Sequence, residues 1–182
     1  MLDLKILRGD ALSSTSDALV IPIDGTIVPR DGQVERILGN IGRQFLRRFP
    51  AADLLEEIES QVGFPLPLGR AAVVALAESA IRQIVVVSTL HHVEQLDHHA
   101  KRALVRSSFR ATLEEAARAG AQTLATAVLQ GGWRLKPTDA FAEMLRVAGE
   151  CSGPETHIYV LEPDLHEQLA SLSRSFGFRA SS

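Results

Sequence analysis

The chain has 182 residues, of which 46% are hydrophobic and 23% charged, the balance of a soluble globular protein and not of a disordered or fibrous one. At this length folding buries roughly 70% of the surface of the unfolded chain, so the core needs neither disulfides nor a structural metal, and the lone Cys151 offers no partner for either. With 19 Lys and Arg against 22 acids the net charge is -3, and the basic residues are scattered along the sequence, which argues against duplex nucleic acid as a main partner.

Residues Met1 to Asp10 lack the apolar core and cleavage site of a signal peptide, and no apolar run is long enough to span a bilayer. The expectation is a cytoplasmic protein without membrane association, built as a single domain over residues 1–179 with a frayed tail at 180–182.

Leu2, Leu4 and Ile6 alternate with Asp3, Lys5 and Arg8, the period of an edge strand with one wet face, and Gly9-Asp10 ends it. Ala18 to Ile23 is an unbroken apolar run, the mark of a strand covered on both faces, in which Pro22 predicts an end or a bulge. Apolar residues at three- and four-residue intervals from Val34 to Phe49 predict a helix lying on a sheet, with Gly39 and Gly42 at close contacts. Asp53 to Gln61 reads as a short helix, and Pro65 and Pro67 make Gly63 to Gly69 a loop.

Arg70 to Leu76 and Ile84 to Thr89 are two further strands, the second apolar and β-branched enough to predict a central place. Leu96 to Ala119 is a long helix with Glu114 and Arg118 at a stabilising spacing and Gly120 at its C-cap. A strand from Thr123 to Leu129 follows, then Gln130-Gly131-Gly132, and Pro137-Thr138-Asp139 supplies the cap and first-turn acid of a helix reaching about Val147. The last strand is His157 to Leu161, and Pro163 opens a final helix that fades near Gly177.

Strands alternating with helices of these lengths predict an α/β protein, a three-layer α/β/α sandwich with a mixed, mainly parallel central sheet. Ligands of such sheets bind beyond the carboxyl ends of the strands. That rule nominates Asp24-Gly25, His91-His92, Gln130-Gly131-Gly132 and Glu162.

Gly9-Asp10-Ala11, Asp17-Ala18-Leu19-Val20, Asp31-Gly32-Gln33-Val34, Gly69 with Ala71 ahead of Ile84-Val85-Val86-Val87, and the stretch Ala127 to Pro137 follow one another over nearly the whole chain. In that order they resemble the macro domain, a family known for binding ADP-ribose. The resemblance implies that Asp10 accepts a hydrogen bond from the adenine amino group, with Ala11 beside it; the bare alternative is that Asp10 only caps a turn. Asp24 stands where the family has a ribose-contacting asparagine, so it either accepts from a ribose diol or merely forms a turn with Gly25. Gly32, Gln33 and Val34 occupy the first phosphate loop, which keeps one glycine where three are usual; Arg30 there can add a charged contact or remain a solvated surface residue.

Gln130, Gly131, Gly132, Trp133 and Arg134 occupy the second phosphate loop, with Arg134 at the place of an aromatic that covers the distal ribose and Trp133 next to it, as a platform or as a buried ring. His91, His92, Asp97, His98 and His99 cluster without a recognisable metal spacing, so neither a metal nor another cofactor is expected. Three functions compete: a divergent macro-type module binding ADP-ribose or a related nucleotide metabolite, the same fold with a lapsed pocket serving protein interaction or assembly, and an ADP-ribosyl hydrolase for which Asp24 is the one available base. A non-catalytic binding module is the leading expectation, with no catalytic residue assigned. The residues do not give the oligomeric state.

Overall fold

The structure is a computed structural model that describes residues 2–27, 37–50, 53–76, 81, 83–89, 96–130 and 135–178. In chain order the elements are β1 (Leu4–Arg8), a 3-10 turn (Ala11–Ser13), β2 (Ala18–Ile23), α1 (Asn40–Arg48), α2 (Leu54–Gln61), β3 (Ala71–Ala75), β4 (Gln83–Ser88), α3 (His98–Arg118), β5 (Thr123–Thr126), α4 (Pro137–Glu150), β6 (Glu155–Val160) and α5 (Pro163–Ser175). The six strands form one sheet in the order β1-β6-β5-β2-β4-β3. Every neighbouring pair is parallel except β3 with β4.

Side chains alternate across this sheet and build two cores. Leu4, Ile6, Val20, Val85, Val87 and Ile158 pack against Phe109 of α3, Phe141 and Met144 of α4 and Leu169 of α5. Leu19, Ile21, Ile23, Ile84 and Val86 pack on the other face against Phe45 of α1 and Leu54 and Ile58 of α2. The mixed, mainly parallel α/β sandwich read from the sequence is the architecture observed. No helix among the described residues is long and apolar enough to cross a membrane.

Several boundaries differ from the sequence reading. The strand expected at the centre, β4, lies one place in from an edge, between β2 and β3, while β5 and β2 hold the middle. An unbroken apolar run reports cover on both faces and a strand on each side, and β4 has both without being central. Of the helix expected from Val34 to Phe49, the described part is helical at Ile37, is interrupted at Leu38 and Gly39, and resumes at Asn40. At the interruption Leu38 bridges Ile23, the Asp24 amide donates to the Ile37 carbonyl at 2.7 Å, and Gly39 donates to Pro22. Ile37 and Leu38 keep their place in the apolar stripe because both are buried on β2.

β2 runs through Pro22 without a bulge. Its ladder to β5 ends at Leu19, so the missing proline donor faces a side where no strand continues. β5 itself stops at Thr126 instead of Leu129, beyond which neither β2 nor β6 pairs with it. α4 starts at Pro137 with no side-chain cap and extends to Glu150. On α3, Arg118 pairs with Glu115 at 2.5 Å, not with Glu114; both spacings place residues on one side of a helix.

Asp97 caps α3 through a 2.7 Å bond from the Ala100 amide to its carboxylate, and Gly120 takes the left-handed conformation (φ 80°) just past the end. Asp97→Ala is expected to reduce the unfolding free energy by about 1 kcal/mol, measured as a shift of the urea midpoint at unchanged slope. At the outer edge of β3, the Gln61 side chain pairs with Ala75 in both directions, each bond 2.9 Å long.

Candidate functional site

The parallel strands all present their carboxyl ends on one side, and there a cleft of about 370 Å³ opens, within the size range of small-ligand sites. Gly9, Asp10 and Ala11 after β1, Thr89 after β4, Ala127, Val128 and Gln130 after β5, and Tyr159 to Glu162 at the end of β6 line it. The first turn of α1 supplies Asn40 and Ile41, and one turn later Gln44. Amides at a helix start have no intrahelical acceptor and carry the positive end of the helix dipole, so this wall favours an anionic group. α1 sits close because Gly42 has no side chain: a Cβ there would lie 3.0 Å from Leu38 and 3.2 Å from Ile21.

Asp10 caps the 3-10 turn, accepting from the Leu12 amide at 3.0 Å on one carboxylate oxygen. Its other oxygen lies 3.4 Å from Arg48, which also donates to Ser13 at 3.0 Å. The capping role weighed from sequence is therefore real. It leaves lone pairs over, because a carboxylate has about four acceptor positions, and the side chain is 40% exposed at the cleft. The exposed ion pair itself is worth roughly 0–1 kcal/mol.

Tyr159 is held by a chain of polar contacts. Its hydroxyl donates to Ser14 at 3.1 Å, Ser14 donates to Ser16 at 2.8 Å, and Ser16 meets His157 Nδ1 at 3.3 Å. His157 Nε2 in turn contacts Glu155 at 2.5 Å, where Lys5 also donates. Bonds from Lys5 and then from His157 hold the Glu155 carboxyl below its ordinary range, and the Glu155 bond raises Lys5. The phenol ring is thereby fixed at the cleft with an edge-on imidazole behind it, centroids 6.5 Å apart.

Of the residues nominated from sequence, Asp10, Ala11, Gln130 and Glu162 come together in the cleft, and the Gln130 side-chain amide donates to the Leu135 carbonyl at 2.8 Å. Asp24 does not line it. Its side chain is fully buried, and one carboxylate oxygen accepts from the Thr26 amide at 3.1 Å and from the Thr26 hydroxyl at 2.6 Å. Arg30, Gly32, Gln33, Val34, Gly131, Gly132, Trp133 and Arg134 lie outside the described residues, as do His91 and His92. His98 lies 4.0 Å from Asp139, and no group of three metal-ligating side chains occurs among the described residues.

Sequence reading missed Asn40, Gln44, Thr89 and Tyr159. The first two were marked by a four-residue polar spacing at a helix start following a strand, and Tyr159 by its alternation with Glu155 and His157 opposite the buried Thr156, Ile158 and Val160.

This sheet order, with its cleft at the carboxyl ends, is the macro domain fold. The chain is similar to the macro domain of ganglioside induced differentiation associated protein 2 at 17% identity, covering 99% of this chain and 86% of that one with a TM-score of 0.69. It is similar to the Thermus aquaticus DarG macrodomain at 19% identity (90% and 100% covered, TM-score 0.60). An Oceanobacillus iheyensis macrodomain solved with ADP matches at 16% identity (94% and 89% covered, TM-score 0.64). No protein-family model and no curated protein matches the sequence.

Proposed function

We propose that residues 1–179 form a divergent macro-type module that binds ADP-ribose or a related adenine nucleotide in the cleft, without catalysing its turnover. The observation that carries this reading is that the Asp10 carboxylate and the hydrogen-bonded ring of Tyr159 line the same cleft. A carboxylate accepts from the adenine amino group while an aromatic face stacks on the base, a contact worth roughly 1–3 kcal/mol. The start of α1 then faces the diphosphate. The solved relative with ADP supports the same ligand class. The lone Cys151 fits a cytoplasmic setting.

The full burial of Asp24 and its tie to Thr26 speak against the hydrolase alternative, because that reading needs this carboxylate to activate water at the distal ribose. They also weaken the ribose contact expected of Asp24. The test is calorimetric titration with ADP-ribose of the parent, Asp10→Ala and Tyr159→Ala. Asp10→Ala and Tyr159→Ala should each weaken binding about ten-fold, that is by about 1.4 kcal/mol. A parent that takes up no ADP-ribose at millimolar concentration rules the nucleotide reading out and leaves the lapsed pocket.

A further inference from the structure

The arginines that are scattered in the sequence are gathered by the fold. Arg102, Arg106 and Arg110 recur every four residues along α3 and face α4, which adds Arg146. Three of them converge on one carboxylate. Glu143 is fully buried; Arg102 donates to it at 2.5 Å and Arg106 at 2.6 Å, and Arg146 is bonded to it as well. Burial pushes the Glu143 carboxyl upward, but the three guanidinium bonds outweigh it and hold the group in its charged form, below its ordinary range. One negative charge thus fixes three positive ones in place.

Beyond this cluster, Arg110 donates to Glu150 at 2.5 Å and to Cys151 at 3.1 Å. A groove of about 560 Å³ runs beside it, with Arg106 and Arg110 on one wall and Arg70 on the other. No ion pair of Arg70 occurs among the described residues. Five arginines stand against Glu143, Glu150 and Glu114 of the groove wall, a local excess of +2 in a chain of net charge -3. Among the described residues, none lines both this groove and the cleft at the strand ends.

We propose that this face of α3 and α4 is a docking surface for an extended acidic segment of a partner protein, with carboxylates at alternate positions. Spacing is the argument. Residues four apart on a helix are separated by about 6 Å, and alternate residues of an extended chain by about 6.6 Å, so successive carboxylates of one peptide edge meet Arg102, Arg106 and Arg110 in turn. Each guanidinium has five N–H donors and spends only one or two on Glu143 or Glu150, so the planar forks retain donors for carboxylates. Because Glu143 already orders three of the side chains, docking loses less side-chain freedom than it would on unpaired arginines. A nucleic acid strand fits less well: no aromatic side chain occurs among the described residues that line the groove, so bases have no stacking platform there.

The experiment is a fluorescence-anisotropy titration of the full chain with a labelled peptide of about a dozen alternating glutamate and serine residues at about 50 mM salt, beside an oligothymidylate of equal charge. Binding of the peptide below millimolar concentration is expected, at least ten-fold weaker in Arg70→Gln/Arg110→Gln, whose two side chains do not touch Glu143. Glu150→Gln, which removes a competing exposed carboxylate, should tighten it two- to three-fold. Absence of peptide binding, equal binding by the double variant, or tighter binding of the oligothymidylate each overturns the proposal. The outcome is independent of whether ADP-ribose binds.

Discussion

Glu143→Ala is expected to lower the unfolding free energy by about 3 kcal/mol, which for a chain of this size is a fall of roughly 6–12 °C in Tm. The argument rests on asymmetry. Removing the single buried carboxylate leaves Arg102, Arg106 and Arg146 converging on a site with no counter-charge. Because these side chains remain 33–46% exposed and water reaches their outer faces, the expected loss lies at the lower end of the range for broken buried pairs. The pH dependence has a definite sign. The carboxyl is held below its ordinary value of 4.5 in the folded chain, so its contribution is complete above that value and is lost as pH falls through the lower folded one. Urea unfolding at pH 7 and on descent below pH 4.5 checks both parts: the parent loses stability on acidification more steeply than Glu143→Ala does.

Gly25→Ala should destabilise by about 2–3 kcal/mol, a loss of the overpacking kind. A Cβ at Gly25 would lie 2.5 Å from the Leu66 carbonyl oxygen, 2.8 Å from the Leu66 Cβ and 2.9 Å from the Ser88 hydroxyl. The backbone cannot retreat, because the Gly25 amide donates to Ser88 at 3.2 Å and its carbonyl accepts from the Leu66 amide at 2.7 Å. Calorimetric unfolding measures the loss, and a Tm within 2 °C of the parent would show that the turn yields.

The same glycine illustrates what the sequence does and does not disclose. Asp24-Gly25 was legible as the end of β2 because such pairs break strands; that Leu66 and Ser88 close over it depends on contacts far apart in the chain. The apolar runs of β2 and β4 told of cover on both faces, yet the number of strands on either side leaves no trace in local composition. Asp10 was legible as a functional candidate through its neighbours Gly9 and Ala11. Tyr159 was not, because an intermediate aromatic in an alternating strand reads the same in a core as in a binding site. Glu143 and its arginines carry no local signal at all. Charged residues four apart on two helices look like two solvated faces until the helices are laid side by side.

The amide of Gln61 at the rim of β3 has a bearing on self-association. A free strand edge offers unpaired donors and acceptors to any other extended chain, and short edges with occupied positions resist that addition. At Ala75 the donor and the acceptor are both taken by a side chain that imitates one peptide unit of an incoming strand. That end of the sheet is thereby closed at its final register position by the protein's own helix α2, and a second molecule seeking to extend the sheet would first have to displace it.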